Sequence, residues 1–119
     1  MSELTETPRA SGAVDTPSLA ECQNIGTSAW SDALDECGIH GVVRGLSQRT
    51  GGAGVVGRAV TARMRSGTIG QFKKTDFGVN KILDATAAGE VAVISMEGAD
   101  ISTFGGMAAL AASRKNLAA

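Results

Sequence analysis

Ser102-Thr103-Phe104-Gly105-Gly106-Met107-Ala108-Ala109-Leu110-Ala111-Ala112 joins two kinds of local order. Shortly before it comes Val91-Ala92-Val93-Ile94-Ser95, apolar at nearly every position, as in a strand covered on both faces. After the glycines come helix formers, so the chain passes from strand to helix at this point. Adjacent glycines let the backbone turn tightly and approach a ligand closely. The first turn of the following helix offers unpaired N–H groups and the positive end of its dipole, which suits a carboxylate or phosphate. A glycine turn that only joins two packed elements has the same sequence, and both readings stay open here.

Around that junction, composition narrows the possible functions. The chain has 119 residues, enough for one domain with a single core. Eleven Lys and Arg stand against 12 Asp and Glu, for a net charge of −1, which argues against a nucleic-acid or anionic-membrane surface. Aromatic residues make up 3%, with no tyrosine, so platforms for stacking bases are not on offer either. No apolar run is long enough to span a bilayer, and the N-terminus lacks the basic start and apolar middle of a signal peptide. A cytoplasmic protein without membrane or nucleic-acid partners is expected. Cys22 and Cys37 are too few for a disulfide framework and fit no zinc spacing, so they are expected as reduced thiols. The lone histidine, His40, has no second histidine with which to share a metal and is expected as a solvated loop residue.

Residues 1–19 contain two prolines, several Ser and Thr and scattered acids without hydrophobic period, which predicts a flexible leader or a remnant of expression. Residues 20–119 are expected to form a single domain. Trp30, Ala33, Leu34 and Cys37 recur at helical spacing, predicting a helix capped by Thr27 or Ser28 and ended by Gly38. Cys37 lies on that apolar stripe and is expected as a packed thiol. Residues 38–54 read as loop; the Gly52-x-Gly54 spacing neither follows a convincing strand nor opens a helix, so it is no dinucleotide fingerprint.

From Val55 the period changes to two. Val56, Val60, Ala62 and Met64 share one strand face, with Thr61, Arg63 and Arg65 on the other. Arg63 and Arg65 therefore project the same way, either as a small cationic site or as a solvated strand face. A polar connection through Lys73-Lys74 leads to a second helix, capped by Thr75 or Asp76, with Val79, Ile82, Leu83 and Thr86 on its inner stripe. The final helix, from about Gly106 to Lys115, puts Met107, Leu110, Ala111 and Arg114 along one side, and Arg114 and Lys115 suit its negative end. Leu117-Ala118-Ala119 then has the character of a strand beginning.

These blocks, in this order, resemble the RraA-like family (regulator of ribonuclease activity A), which includes the class II 4-hydroxy-4-methyl-2-oxoglutarate aldolases. The resemblance is carried by Ser31-Asp32-Ala33-Leu34-Asp35, by Val56-Gly57-Arg58-Ala59-Val60-Thr61, by Ala87-Ala88-Gly89-Glu90-Val91-Ala92-Val93-Ile94 and by Phe104-Gly105-Gly106-Met107-Ala108-Ala109-Leu110-Ala111-Ala112. It covers about Ser28 to Ala119. It implies an α/β fold, a mixed β-sheet with flanking helices like the N-terminal part of the family's β/β/α fold, and ring-shaped homotrimers.

The resemblance also implies chemistry. Aldolase members use a divalent metal, magnesium or manganese, to stabilise the enolate of a pyruvate-like 2-oxo acid, in carbon–carbon cleavage or oxaloacetate decarboxylation. By position, the backbone N–H groups at Gly105, Gly106 and Met107 would hold the substrate carboxylate. Two departures stand against a complete site. The family's acidic residue after the first glycine is replaced here by Gly106, and the family's Arg-Asp pair, which contacts substrate and ligates metal, would lie beyond Ala119. No catalytic residue and no metal ligand is therefore assigned within this chain. Three expectations follow: a lyase half-site completed by a complementing chain or a missing C-terminal half, a non-catalytic regulator of the ribonuclease E-binding kind, or a truncated reading frame.

Overall fold

The structure, a computed structural model, describes residues 16–119. In chain order the elements are α1 (Thr16–Cys22), α2 (Thr27–Glu36), β1 (Ala59–Arg63), α3 (Val79–Ala85), β2 (Val91–Ser95) and α4 (Gly106–Arg114), with a short 3-10 turn at Lys74–Asp76. They fall into two compact units, residues 57–119 and, among the described residues, 16–56. The fold is α/β, with a parallel pair of strands and flanking helices.

In residues 57–119 the period-two pattern becomes β1. Ala62 and Met64 are buried and Val60 half-buried, while Thr61, Arg63 and Arg65 face water. β2 lies parallel to it, in register from Ala59 opposite Val91 to Arg63 opposite Ser95. Parallel neighbours need a crossover, and α3 supplies it. Its stripe is the one the sequence predicts: Ile82, Leu83 and Thr86 are buried and Val79 partly so. Ile82 is fully buried against Ala62 and Met64, with Ala92, Ile94 and Met96 beside them. Burying a side chain of that size contributes about 1.5–3 kcal/mol. The buried Thr86 hydroxyl donates to the Ile82 carbonyl at 2.6 Å, so its desolvation is compensated. The helix cap differs from expectation. Gly78 is the N-cap of α3, while Asp76 closes the preceding turn by accepting the Lys73 N–H at 2.8 Å.

β2 was expected to be covered on both faces, and it is not. Ala92 and Ile94 turn toward α3, but Val93 is 39% exposed and Ser95 is also open. No element of residues 57–119 packs on that face in the way α3 packs on the other. Its edges are better satisfied. Val91 donates to Arg58 on the β1 side at 2.9 Å, while on the opposite side Ala118 donates to Glu90 at 2.9 Å and Ala92 to Ala119 at 2.8 Å. The strand-like reading of Leu117–Ala119 agrees with this edge pairing.

α4 packs through its small residues. The side predicted from Met107, Leu110 and Ala111 is largely open, with Met107 82% and Leu110 46% exposed. The half-buried residues are Ala108, Ala111, Ala112 and Lys115. Small side chains let α4 approach α3 closely, and the larger ones are left outside. Lys115 does more than compensate its own helix end. Its Nζ donates to the Leu83 carbonyl and, at 3.4 Å, to the Asp84 carbonyl, serving the last turn of α3. Asn116, at φ +55°, then closes α4: Leu117 N–H donates to the Ala112 carbonyl and Asn116 N–H to the Ser113 carbonyl, a Schellman arrangement.

In residues 16–56, α2 ends with the same arrangement on Gly38, at φ +67°, with Ile39 donating to Leu34 and Gly38 to Asp35. Its N-cap is Gly26 rather than Thr27 or Ser28, and no side chain caps it. The apolar stripe does not become a core: Leu34 is half-buried, Trp30 is 38% exposed, and Cys37 is exposed rather than packed. Residues 37–58 form neither helix nor strand, and His40 is exposed there. Of the expected leader, residues 1–15 lie outside the described residues, while Thr16–Leu19 belong to α1.

Candidate functional site

Parallel strands gather ligand sites beyond their carboxyl ends, because the loops leaving neighbouring strands diverge there. Residues 57–119 follow that rule. Met64 and Arg65 continue from β1 and Met96 from β2, and beyond them opens a cleft of about 470 Å³. Its walls come from three segments: the loop at 66–72, the residues Asp76–Val79 that lead into α3, and Ile101–Thr103. The lining is mainly apolar, from side chains such as Met64, Ile69, Phe72, Phe77 and Ile101.

The turn between β2 and the cleft's third wall carries the main charged group. Glu97 and Gly98 both take positive φ (+51° and +82°), and Ala99 donates to the Met96 carbonyl at 3.1 Å, as in a type I′ turn. Glu97 sits where it meets both strand arginines, Arg63 Nε at 3.6 Å and Arg65 Nε at 3.5 Å. Arg63 and Arg65 do project together, and one carboxylate serves both. These pairs are exposed and contribute little to stability. Their effect is on the local field: two guanidinium groups share one negative charge.

Gly105, Gly106 and Met107 lie just past the cleft's third wall. Gly105 is the N-cap of α4, with extended backbone (φ −89°, ψ 178°), and no side chain caps the helix. A Cβ at either glycine would meet nothing within 4 Å, so the loop is open to an approaching group. Ser102 and Thr103 line the cleft; Met107 instead lines a shallow groove between α3 and α4, with Leu83 and Leu110. The strand-to-helix loop thus spans two surfaces, its upstream half on the cleft and its glycine pair at the start of α4.

The donor set does not fit a divalent cation. Among the described residues, no three His, Cys, Asp or Glu side chains come together as a metal site. Near the cleft, Asp76 accepts the Lys73 N–H and Glu97 is held between two arginines. Gly106 offers no side chain. Sequence reasoning missed Glu97 and the apolar walls at Ile69, Phe72 and Phe77, and it gave Lys115 only its own helix end, not the carbonyls of α3. The signal for the walls was three large apolar residues in an otherwise polar connection; for Glu97 and Lys115 the partners are distant in sequence and left none.

A family model described as RraA-like, Aldolase/RraA, matches residues 27–119. No curated protein and no solved structure matches the chain. Among the described residues, no helix is long and apolar enough to cross a membrane.

Proposed function

Because the chain belongs to the RraA-like family, we propose that it acts as a binding or regulatory protein of that family, of the kind that restrains ribonuclease E by contact, rather than as a metal-dependent lyase in its own right. The observation that carries this reading is the donor set. The acidic position of the family's loop is Gly106, the acid that lines the cleft, Asp76, accepts a backbone N–H, and Glu97 pairs with two arginines. A lyase of this class needs a Lewis acid where the enolate charge develops, and the described side chains do not assemble a holder for one. A binding role asks only for surface, and Met107, Leu110 and Phe104 supply exposed apolar area around the start of α4. The test has two arms on the full chain. Stoichiometric addition to purified ribonuclease E is expected to slow cleavage of a model RNA. Oxaloacetate with magnesium or manganese is expected to decarboxylate at the background rate; saturable, metal-dependent turnover would overturn the reading.

One observation favours a second reading, in which Gly105, Gly106 and Met107 hold the carboxylate of a small 2-oxo acid. The loop has open space at both glycines and no side-chain cap on its free N–H groups. That reading brings with it the family's aldolase chemistry, its divalent metal and its homotrimer, with the metal's ligands supplied from outside this chain. Oxalate, a planar mimic of the pyruvate enolate, separates the two: selective shifts of the Gly106 and Met107 amide resonances on titration would support the loop as a carboxylate holder.

A further inference from the structure

Three large apolar side chains stand open around the cleft at the strand ends. Ile69 is fully exposed, Phe77 is 70% and Ile101 54% exposed, and all three line it. Apolar surface left in water around a concave site is the usual wall of a small-molecule pocket, and about 470 Å³ lies within the range such pockets occupy. The polar groups that would orient a ligand are few. Arg65 carries the cleft's positive charge, with the Ser102 and Thr103 hydroxyls on the wall formed by Ile101–Thr103.

Arg65 is suited to an anion. Glu97 meets it through Nε at 3.5 Å and is drawn as well to Arg63 at 3.6 Å, so one carboxylate neutralises two guanidinium groups only in part. Glu97 meets Arg65 at Nε, and a guanidinium presents a planar fork of N–H groups that matches a carboxylate. Asp76, the acid that lines the cleft, already accepts the Lys73 N–H. A ligand with several phosphates would need more cations than this one arginine, and a purely apolar ligand would leave it unused.

We propose that this cleft binds a small amphipathic monocarboxylate, its carboxylate at the Arg65 guanidinium and its aryl or branched alkyl chain against Ile69, Phe77 and Ile101. The site does not include Gly105, Gly106 or Met107 and stands whether or not the chain regulates a ribonuclease. Glu97 tunes it by competing for the same guanidinium.

The experiment is a titration of the 15N-labelled full chain, read from amide shifts, with 3-phenylpropionate, its neutral amide 3-phenylpropionamide, and propionate as probes. Saturable shifts at residues 64–69, 77–79 and 101–103 are expected with 3-phenylpropionate. The amide and the short acid are each expected to bind about tenfold more weakly, the loss of one charge-assisted contact or of the apolar chain. Two variants act in opposite directions. R65Q weakens 3-phenylpropionate about tenfold, while E97Q, which releases the guanidinium, tightens it by about threefold. Equal binding of acid and amide would overturn the proposal, as would shifts centred on residues 105–110. So would R65Q and E97Q moving affinity the same way, or no saturable shift up to about 10 mM. Shifts of Ile69, Phe77 and Ile101 that depend on protein concentration without any acid would assign the cleft to a second copy of the chain and also overturn it.

Discussion

Residues 57–119 bury Ile82 completely and Ala62, Met64, Leu83 and Thr86 almost so, whereas among residues 19–56 none is buried. The second region does not lack apolar residues: Trp30, Ile39, Val42, Val43, Leu46 and Val55 all lie there, and all are exposed. What differs is the presence of a facing surface. In residues 57–119 the pleat of two paired strands presents Val60, Ala62 and Met64 beside Ala92, Ile94 and Met96, and α3 has that surface to pack on. In residues 16–56, α2 carries a helical stripe but its own unit contains no sheet. Hydrophobic residues at the right spacing are a requirement for burial, and a second element at packing distance is the other.

The largest expected effect comes from attacking that surface. Ile82→Ala leaves a cavity beneath the sheet and should cost about 2–5 kcal/mol in urea unfolding. The matching change in the other region, Leu46→Ala at an 80% exposed side chain, should stay within about 0.5 kcal/mol. Equal losses would show that the two regions do not differ as described. Gly57→Ala comes next. Its Cβ would lie 2.7 Å from the Gly89 carbonyl oxygen, a backbone atom that cannot swing away, so a loss of about 1–3 kcal/mol is expected. Gly54→Ala, where a Cβ meets nothing within 4 Å, is the contrasting control, and thermal melts of the pair read the difference.

Asn116→Val should destabilise by about 1–2 kcal/mol, because a branched side chain resists the left-handed backbone that closes α4. Asn116→Gly should stay within about 0.5 kcal/mol of the parent. The smallest effect is Lys115→Met, which keeps the stem but removes the donor to the Leu83 and Asp84 carbonyls. A loss of about 1 kcal/mol is expected, with faster amide exchange in the last turn of α3 as the local sign.

Much of residues 57–119 was legible in the sequence, since period two and period 3.6 each follow directly from backbone geometry. Ala62 and Met64 inside, Arg63 and Arg65 together outside, and the stripe at Val79, Ile82, Leu83 and Thr86 are all as the spacing predicts. The errors have common physical causes. Val93 was expected under cover because an apolar run does not say how many faces find a partner. The spacing groups Met107 and Leu110 on one side of α4 without saying which side packs, and close helix approach selects the alanines. Thr27, Ser28 and Asp76 were reasonable caps, but Gly26 and Gly78 occupy those positions. The glycine loop was placed correctly at the start of α4, while the cleft beside it was not foreseen. Its walls come from segments distant in sequence, and only the parallel register of β1 and β2 brings them to one end of the sheet.

Among the described residues, the side chains do not assemble a divalent-metal site. Titration of manganese into the purified protein, with free ion followed by its six-line electron paramagnetic resonance signal, tests it most directly. The account predicts that the signal stays at its buffer intensity, with no stoichiometric loss as protein is added. Uptake of about one manganese per chain at micromolar concentration, lost on replacing Glu97 or Asp76 by the corresponding amide, would contradict it.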